Sequence, residues 1–133
     1  MLDPQPVLVV APEAEMRGTL AIAIADETRR PVAAVPNAAE AARLAQARRP
    51  GALVVDLGRE GNGAALHALS REPSLVGSPI VAIGPTAARD AAISAGASAF
   101  VAEPVDLRAV LAALADALAD RAPTPAGHAD RAA

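Results

Sequence analysis

The chain has no cysteine, lysine, tryptophan or tyrosine, and Phe100 is the single aromatic residue among 133. Without thiols there are no disulfides, no thiolate zinc sites and no thiol catalysis, which fits a reducing, cytoplasmic setting. All twelve basic residues are arginine, scattered apart from the pairs Arg29-Arg30 and Arg48-Arg49. With a net charge of −3 and a pI near 5.3, this is not the basic footprint of a nucleic-acid binder. No apolar run approaches the roughly 20 residues of a membrane span. The first residues, MLDPQP, lack the basic and apolar regions of a signal peptide. A cytoplasmic protein that binds neither membrane nor nucleic acid is expected.

What is present is mostly small and aliphatic. Hydrophobic residues make up 53% of the chain, and alanine dominates them, so helices must lie close on whatever they cover. A chain of this length forms one domain and buries roughly two thirds of its unfolded surface. Pro6-Val-Leu-Val-Val-Ala11 reads as a strand buried on both faces, and an Ala-rich helix with Met16, Leu20, Ile22 and Ile24 follows over about 13–28. A weaker strand, 31–36, is bracketed by prolines that favour the sheet edge. Asn37 and Glu40 have capping-box spacing at the start of a helix ending near Arg49.

A third strand spans 51–56, a glycine-rich loop 57–63 and a helix about 64–71. The fourth strand is 78–84, and a short helix over 86–95 stops at Gly96. The fifth strand is 99–102, and Asp106 caps a last helix with Leu107, Val110, Leu111, Leu114 and Leu118 on one stripe. Strands and helices in alternation predict a five-stranded, parallel, doubly wound α/β sheet with helices on both faces. The domain covers 1–121, and 122–133 (APTPAGHADRAA) reads as a disordered tail or the start of a linker.

Asp56 closes the run Gly51-Ala-Leu-Val-Val-Asp56, at the strand end where open α/β sheets hold their chemistry. Gly58, Gly61 and Gly63 form no phosphate loop, since neither GK[ST] nor a GxGxxG after the first strand is present. His67 falls on a helix and His128 in the tail, so neither suggests a metal ligand or general base. Hydrolase and dehydrogenase motifs are missing, and no enzymatic activity is expected.

From about residue 6 to 120 the sequence resembles the response-regulator receiver domain of two-component signalling. The resemblance rests on Pro50-Gly-Ala-Leu-Val-Val-Asp-Leu57, on Asn37-Ala-Ala-Glu-Ala-Ala42 and above all on Ala95-Gly-Ala-Ser-Ala-Phe-Val-Ala-Glu-Pro104. It implies a flavodoxin-like strand order of 2-1-3-4-5. It also implies a phosphoacceptor at Asp56, a switch aromatic at Phe100, and a pocket built from four further positions. In receivers an acidic pair after strand one helps hold Mg²⁺, a Thr or Ser ends strand four, and a Lys follows strand five.

Here Ala11 and Pro12 occupy the acidic-pair positions, with Glu13 one residue later; Gly84 replaces the hydroxyl residue and Glu103 the lysine. The segment from Gly84 to Phe100 is also about one helical turn short for the family. The resemblance therefore implies a degenerate receiver, or pseudo-receiver: a signalling module acting by protein–protein interaction without phosphorylation and without a cofactor. Its expected partner is a protein, either a histidine kinase or an output protein, with a homodimer through the last helix as a further arrangement. One alternative keeps Asp56 as a phosphoacceptor served by a histidine kinase or phosphotransfer protein, with Glu13 or Glu103 recruiting Mg²⁺; otherwise no metal is expected, and Glu13 and Asp56 are the weak candidates for one. Another makes the altered acidic pocket a small-ligand sensor. Glu103 is expected to face solvent.

Overall fold

Strands that are apolar on both faces must be covered from both sides, and the chain supplies the covers in alternation. The computed structural model describes residues 4–58 and 63–121. Its elements run β1 (Val7–Val10), α1 (Ala14–Thr28), β2 (Val32–Val35), α2 (Ala38–Ala47), β3 (Ala52–Asp56) and α3 (Ala64–Ser70). After a 3-10 turn (Pro73–Leu75) come β4 (Ile80–Gly84), a second 3-10 turn (Thr86–Ala88), α4 (Arg89–Ser94), β5 (Ala99–Ala102) and α5 (Leu107–Arg121). All pairings are parallel and the order is β2-β1-β3-β4-β5, as expected from the sequence.

Alternation along each strand divides the core in two. Val7, Val9, Val54, Val81 and Ile83 face α1 and α5, where they meet Leu20, Ile24, Val110 and Leu114. Leu8, Val10, Leu53, Val55 and Phe100 face the other way, onto Ala41, Ala45, Leu66, Leu69 and Ala92 of α2, α3 and α4. Each fully buried Leu or Ile contributes about 1.5–3 kcal/mol. Alanines between them let the helices sit close on the sheet. The helix dipoles are capped much as the sequence indicates: Asn37 Oδ1 accepts from the Glu40 amide at 2.9 Å, and Asp106 Oδ1 accepts from the Arg108 amide at 2.9 Å.

Three local readings are corrected. The segment expected as one helix over 86–95 divides into a 3-10 turn and six helical residues, because neither Pro85 nor Ala88 offers a side-chain cap. Its end is as read: the Gly96 amide donates to Ile93 and the Ala97 amide to Ala92, the paired bonds of a Schellman stop, with Gly96 at φ 118°. The 3-10 turn at Pro73–Leu75, held by Glu72 accepting from the Ser74 hydroxyl at 2.6 Å, was not expected. β4 also starts later than 78, since the Ser78 amide closes that turn on Leu75 and its hydroxyl bonds Pro50. The proposed tail, 122–133, and the loop residues 59–62 lie outside the described residues. No helix among the described residues is long and apolar enough to cross a membrane.

Candidate functional site

A parallel sheet carries all its strand ends to one edge, and a crevice opens there where the chain order reverses, between β1 and β3. Asp56 ends β3 at that edge, paired in register with Ile83 of β4 and 8% exposed. Its Oδ1 accepts from the Gly58 amide at 3.0 Å. That turn needs φ of 79° at Gly58, a conformation that costs other L-residues about 1–2 kcal/mol. Asp56 is therefore held by its own loop, with its strand buried around it.

The cleft in front of it has a volume of about 300 Å³ and is lined by Pro12, Glu13, Met16, Asp56, Gly58 and Glu103. Four residues expected at the pocket thus meet there: Pro12, Glu13, Asp56 and Glu103. Glu13 is the N-cap residue of α1, yet its side chain makes no cap bond. Glu103 is half-buried and lines the cleft, and its amide extends the β5 ladder onto Gly84 at 2.9 Å, which fixes the residue at the strand end. Two expected positions are absent from the lining. Ala11 is fully buried, its amide donating to Val35. Gly84 is covered: a Cβ built on it would stand 3.4 Å from Leu57 and 3.6 Å from the Phe100 ring.

Phe100 lies in the opposite core layer, 9% exposed, with the Arg89 guanidinium 5.0 Å above its ring centre. A cation over an aromatic face is attracted by the ring quadrupole. Arg89 was not singled out from the sequence; ten residues separate it from Phe100, and only the packing of α4 on β5 joins them. Arg17 was also missed. Its Nη1 donates to the carbonyls of Ala11 at 2.9 Å and Pro12 at 3.3 Å, tying the β1–α1 loop from one turn inside α1. Met16 and Gly58 complete the cleft and carried no sequence signal beyond their neighbours.

The electrostatics follow from this lining: among the described residues it holds three carboxylates, no cation and no hydroxyl. Mg²⁺ demands near-octahedral oxygen ligation. Ala11 and Pro12 have no side-chain oxygen to give, so the acidic pair that would hold the ion is missing, and no group of three His, Cys, Asp or Glu able to hold a metal exists among the described residues.

No family model and no curated protein matches the sequence. Solved structures do. A response regulator of Chloroflexus aurantiacus superposes with a TM-score of 0.75 at 20% identity, over 88% of this chain and 99% of the other. The receiver domain of a sensor histidine kinase from Pseudomonas aeruginosa PAO1, which has magnesium coordinated in its active-site cleft, gives 0.69 at 20% identity, over 87% and 98%. A chemotaxis protein of Vibrio cholerae gives 0.72 at 17% identity, over 86% and 98%. The sheet order and the near-complete coverage of both chains agree, and the fold is that of receiver domains.

Proposed function

We propose that this chain is a receiver-like signalling module that acts by binding a protein partner, without phosphorylation and without catalysis. The observation that carries the reading is the lining of the cleft. Among the described residues, Asp56 shares it with Glu13 and Glu103 and with no cation. A phosphoryl group on Asp56 brings roughly two negative charges. Glu103 lines the same cleft, and its like charge opposes that group more strongly the closer the two stand. With no metal ligation and no lysine to offset the repulsion, ordinary receiver chemistry has no support here.

The signalling surface would be the face of α4, β5 and α5. Ile93 on α4 is 47% exposed, large for an aliphatic side chain, and Arg89 and Asp90 flank it on the same short helix. Arg89 over Phe100 fixes α4 on β5, so that face is presented in one arrangement. Ile93→Asp is expected to abolish recovery of the proteins that co-purify with this chain, whereas Asp56→Asn leaves recovery unchanged. The reverse pattern sinks the reading.

One observation favours a second reading. Asp56 is the last residue of a central strand and opens on the cleft, the position a phosphoacceptor needs. On that reading a dedicated histidine kinase or phosphotransfer protein would supply the positive charge the cleft lacks.

A further inference from the structure

A larger depression lies between the end of α1 and α5, and it shares no lining residue with the acidic cleft. It has a volume of about 450 Å³ and an apolar floor of Leu111, Ala112, Ala115 and Leu118, a stripe along α5. Sites of a few hundred cubic ångströms, mostly apolar with a few placed polar groups, are the kind small molecules occupy. Leu111 and Leu118 are half-buried, and the helix advances about 10 Å from one to the other.

One end of this floor is organised around a guanidinium. The Arg30 amide donates to Thr28 Oγ1 at 3.2 Å, and that hydroxyl donates in turn to the Ile24 carbonyl at 2.7 Å, so the chain leaving α1 is pinned. Arg30 Nη1 donates to the Gln5 carbonyl at 3.0 Å. Gly51 makes room for this arrangement. A Cβ built there would stand 2.9 Å from Arg30 Nη1 and 3.3 Å from Leu118 Cδ2, so the cation and the last floor residue converge on one spot. Among the described residues Arg30 Nη2 has no bond, which leaves a half-buried donor, held in place beside an apolar surface. Arg108 adds an exposed cation at the rim, and among the described residues Glu27 is the one acid of the lining.

Two cations against one carboxylate favour an anion, and the floor favours a hydrocarbon body attached to it. A guanidinium takes a carboxylate through short, charge-assisted hydrogen bonds, and a donor already fixed in position loses less freedom on binding. We infer that the groove is a binding site for a small amphipathic carboxylate, its head at Arg30 and its apolar body along Leu118, Ala115 and Leu111. Such a ligand bridges α1 and α5 and leaves Asp56 and the exposed Ile93 untouched, so the site does not depend on how the acidic cleft behaves.

Titration of the ¹⁵N-labelled full chain with decanoate, followed by amide chemical shifts, tests it. Decyltrimethylammonium, with the same hydrocarbon chain and the opposite charge, is the control. Below the micelle concentration, decanoate is expected to give saturable shifts at Leu111, Ala115 and Leu118, and the cation to bind at least about tenfold more weakly. Arg30→Gln should weaken decanoate binding by about tenfold, whereas Glu27→Gln should tighten it by about two- to fivefold, a change of opposite sign at the same edge. Ala115→Glu, at an exposed helix position that a glutamate suits, should abolish the shifts. Circular dichroism checks each variant's fold; should Arg30→Gln unfold, Glu27→Gln and Ala115→Glu decide. Absence of saturable shifts overturns the inference. So does equal binding of the two amphiphiles, which would mean that the floor takes any hydrocarbon, or decanoate binding that neither Glu27→Gln nor Ala115→Glu alters.

Discussion

Phe100→Ala should lower the unfolding free energy by about 3–4 kcal/mol, a large share of what a domain of this size has to lose. The ring is the only aromatic in the chain and is buried in the layer beneath α2, α3 and α4. It packs against the place where Gly84 has no side chain, so removing it leaves a void that neighbouring alanines cannot fill. Phe100→Leu keeps most of the volume and should cost about 1 kcal/mol. Arg89→Ala should cost about 0.5–1 kcal/mol, and the double change less than the sum, because the stacking is counted in both. Urea unfolding followed by far-ultraviolet circular dichroism is the measurement, since the chain has neither tryptophan nor tyrosine to report by fluorescence. A loss below about 1 kcal/mol for Phe100→Ala would mean that the ring is not packed as described.

Rebuilding the pocket should produce an even larger change, in chemistry and not in stability. The receiver resemblance places an acidic pair at Ala11 and Pro12, a hydroxyl residue at Gly84 and a lysine at Glu103. In Gly84→Thr the Cβ would meet Leu57 and Phe100 at ordinary contact distance. Glu103→Lys replaces a repulsion with an attraction, worth about 2–4 kcal/mol at short range, or one to three orders of magnitude in rate. The variant Ala11→Asp, Pro12→Asp, Gly84→Thr, Glu103→Lys should therefore take up phosphate from a small phosphodonor with Mg²⁺, at Asp56 and at least about a hundredfold faster than the wild type. The same variant carrying Asp56→Asn should take up none. If the rebuilt variant folds and remains unlabelled, the cleft differs from a phosphoacceptor pocket in more than its side chains.

How much of this was legible in the sequence depends on whether the determinant was local. The run ending at Asp56 identified β3, since four consecutive apolar residues bounded by Gly51 and Gly58 suit a strand covered on both sides. Asn37, Asp106 and Gly96 could be read as helix signals because a cap involves residues within one turn of each other. Contacts made by tertiary packing could not. α1 distributes its apolar residues around the helix, so its period gives no direction: Leu20 and Ile24 are buried while Ile22 is 74% exposed, and nothing local marks Arg17 as facing the β1–α1 loop. Arg89 meets Phe100 only because α4 is short and starts over β5. At the candidate site the identities of Asp56, Glu13 and Glu103 were legible, but their meeting in one cleft was implied only by the receiver resemblance and by nothing local, because three separate strand ends bring them there.

The central claim is that Asp56 occupies the position of a phosphoacceptor without the surroundings that make one work. Incubating the wild-type chain with acetyl phosphate and Mg²⁺ and reading its intact mass, with Asp56→Asn as the control, tests it most directly. The cleft of three carboxylates predicts an unchanged mass in both proteins. A phosphoryl adduct on the wild type that is absent from Asp56→Asn would contradict it, and would show that Asp56 accepts phosphate despite its acidic neighbours.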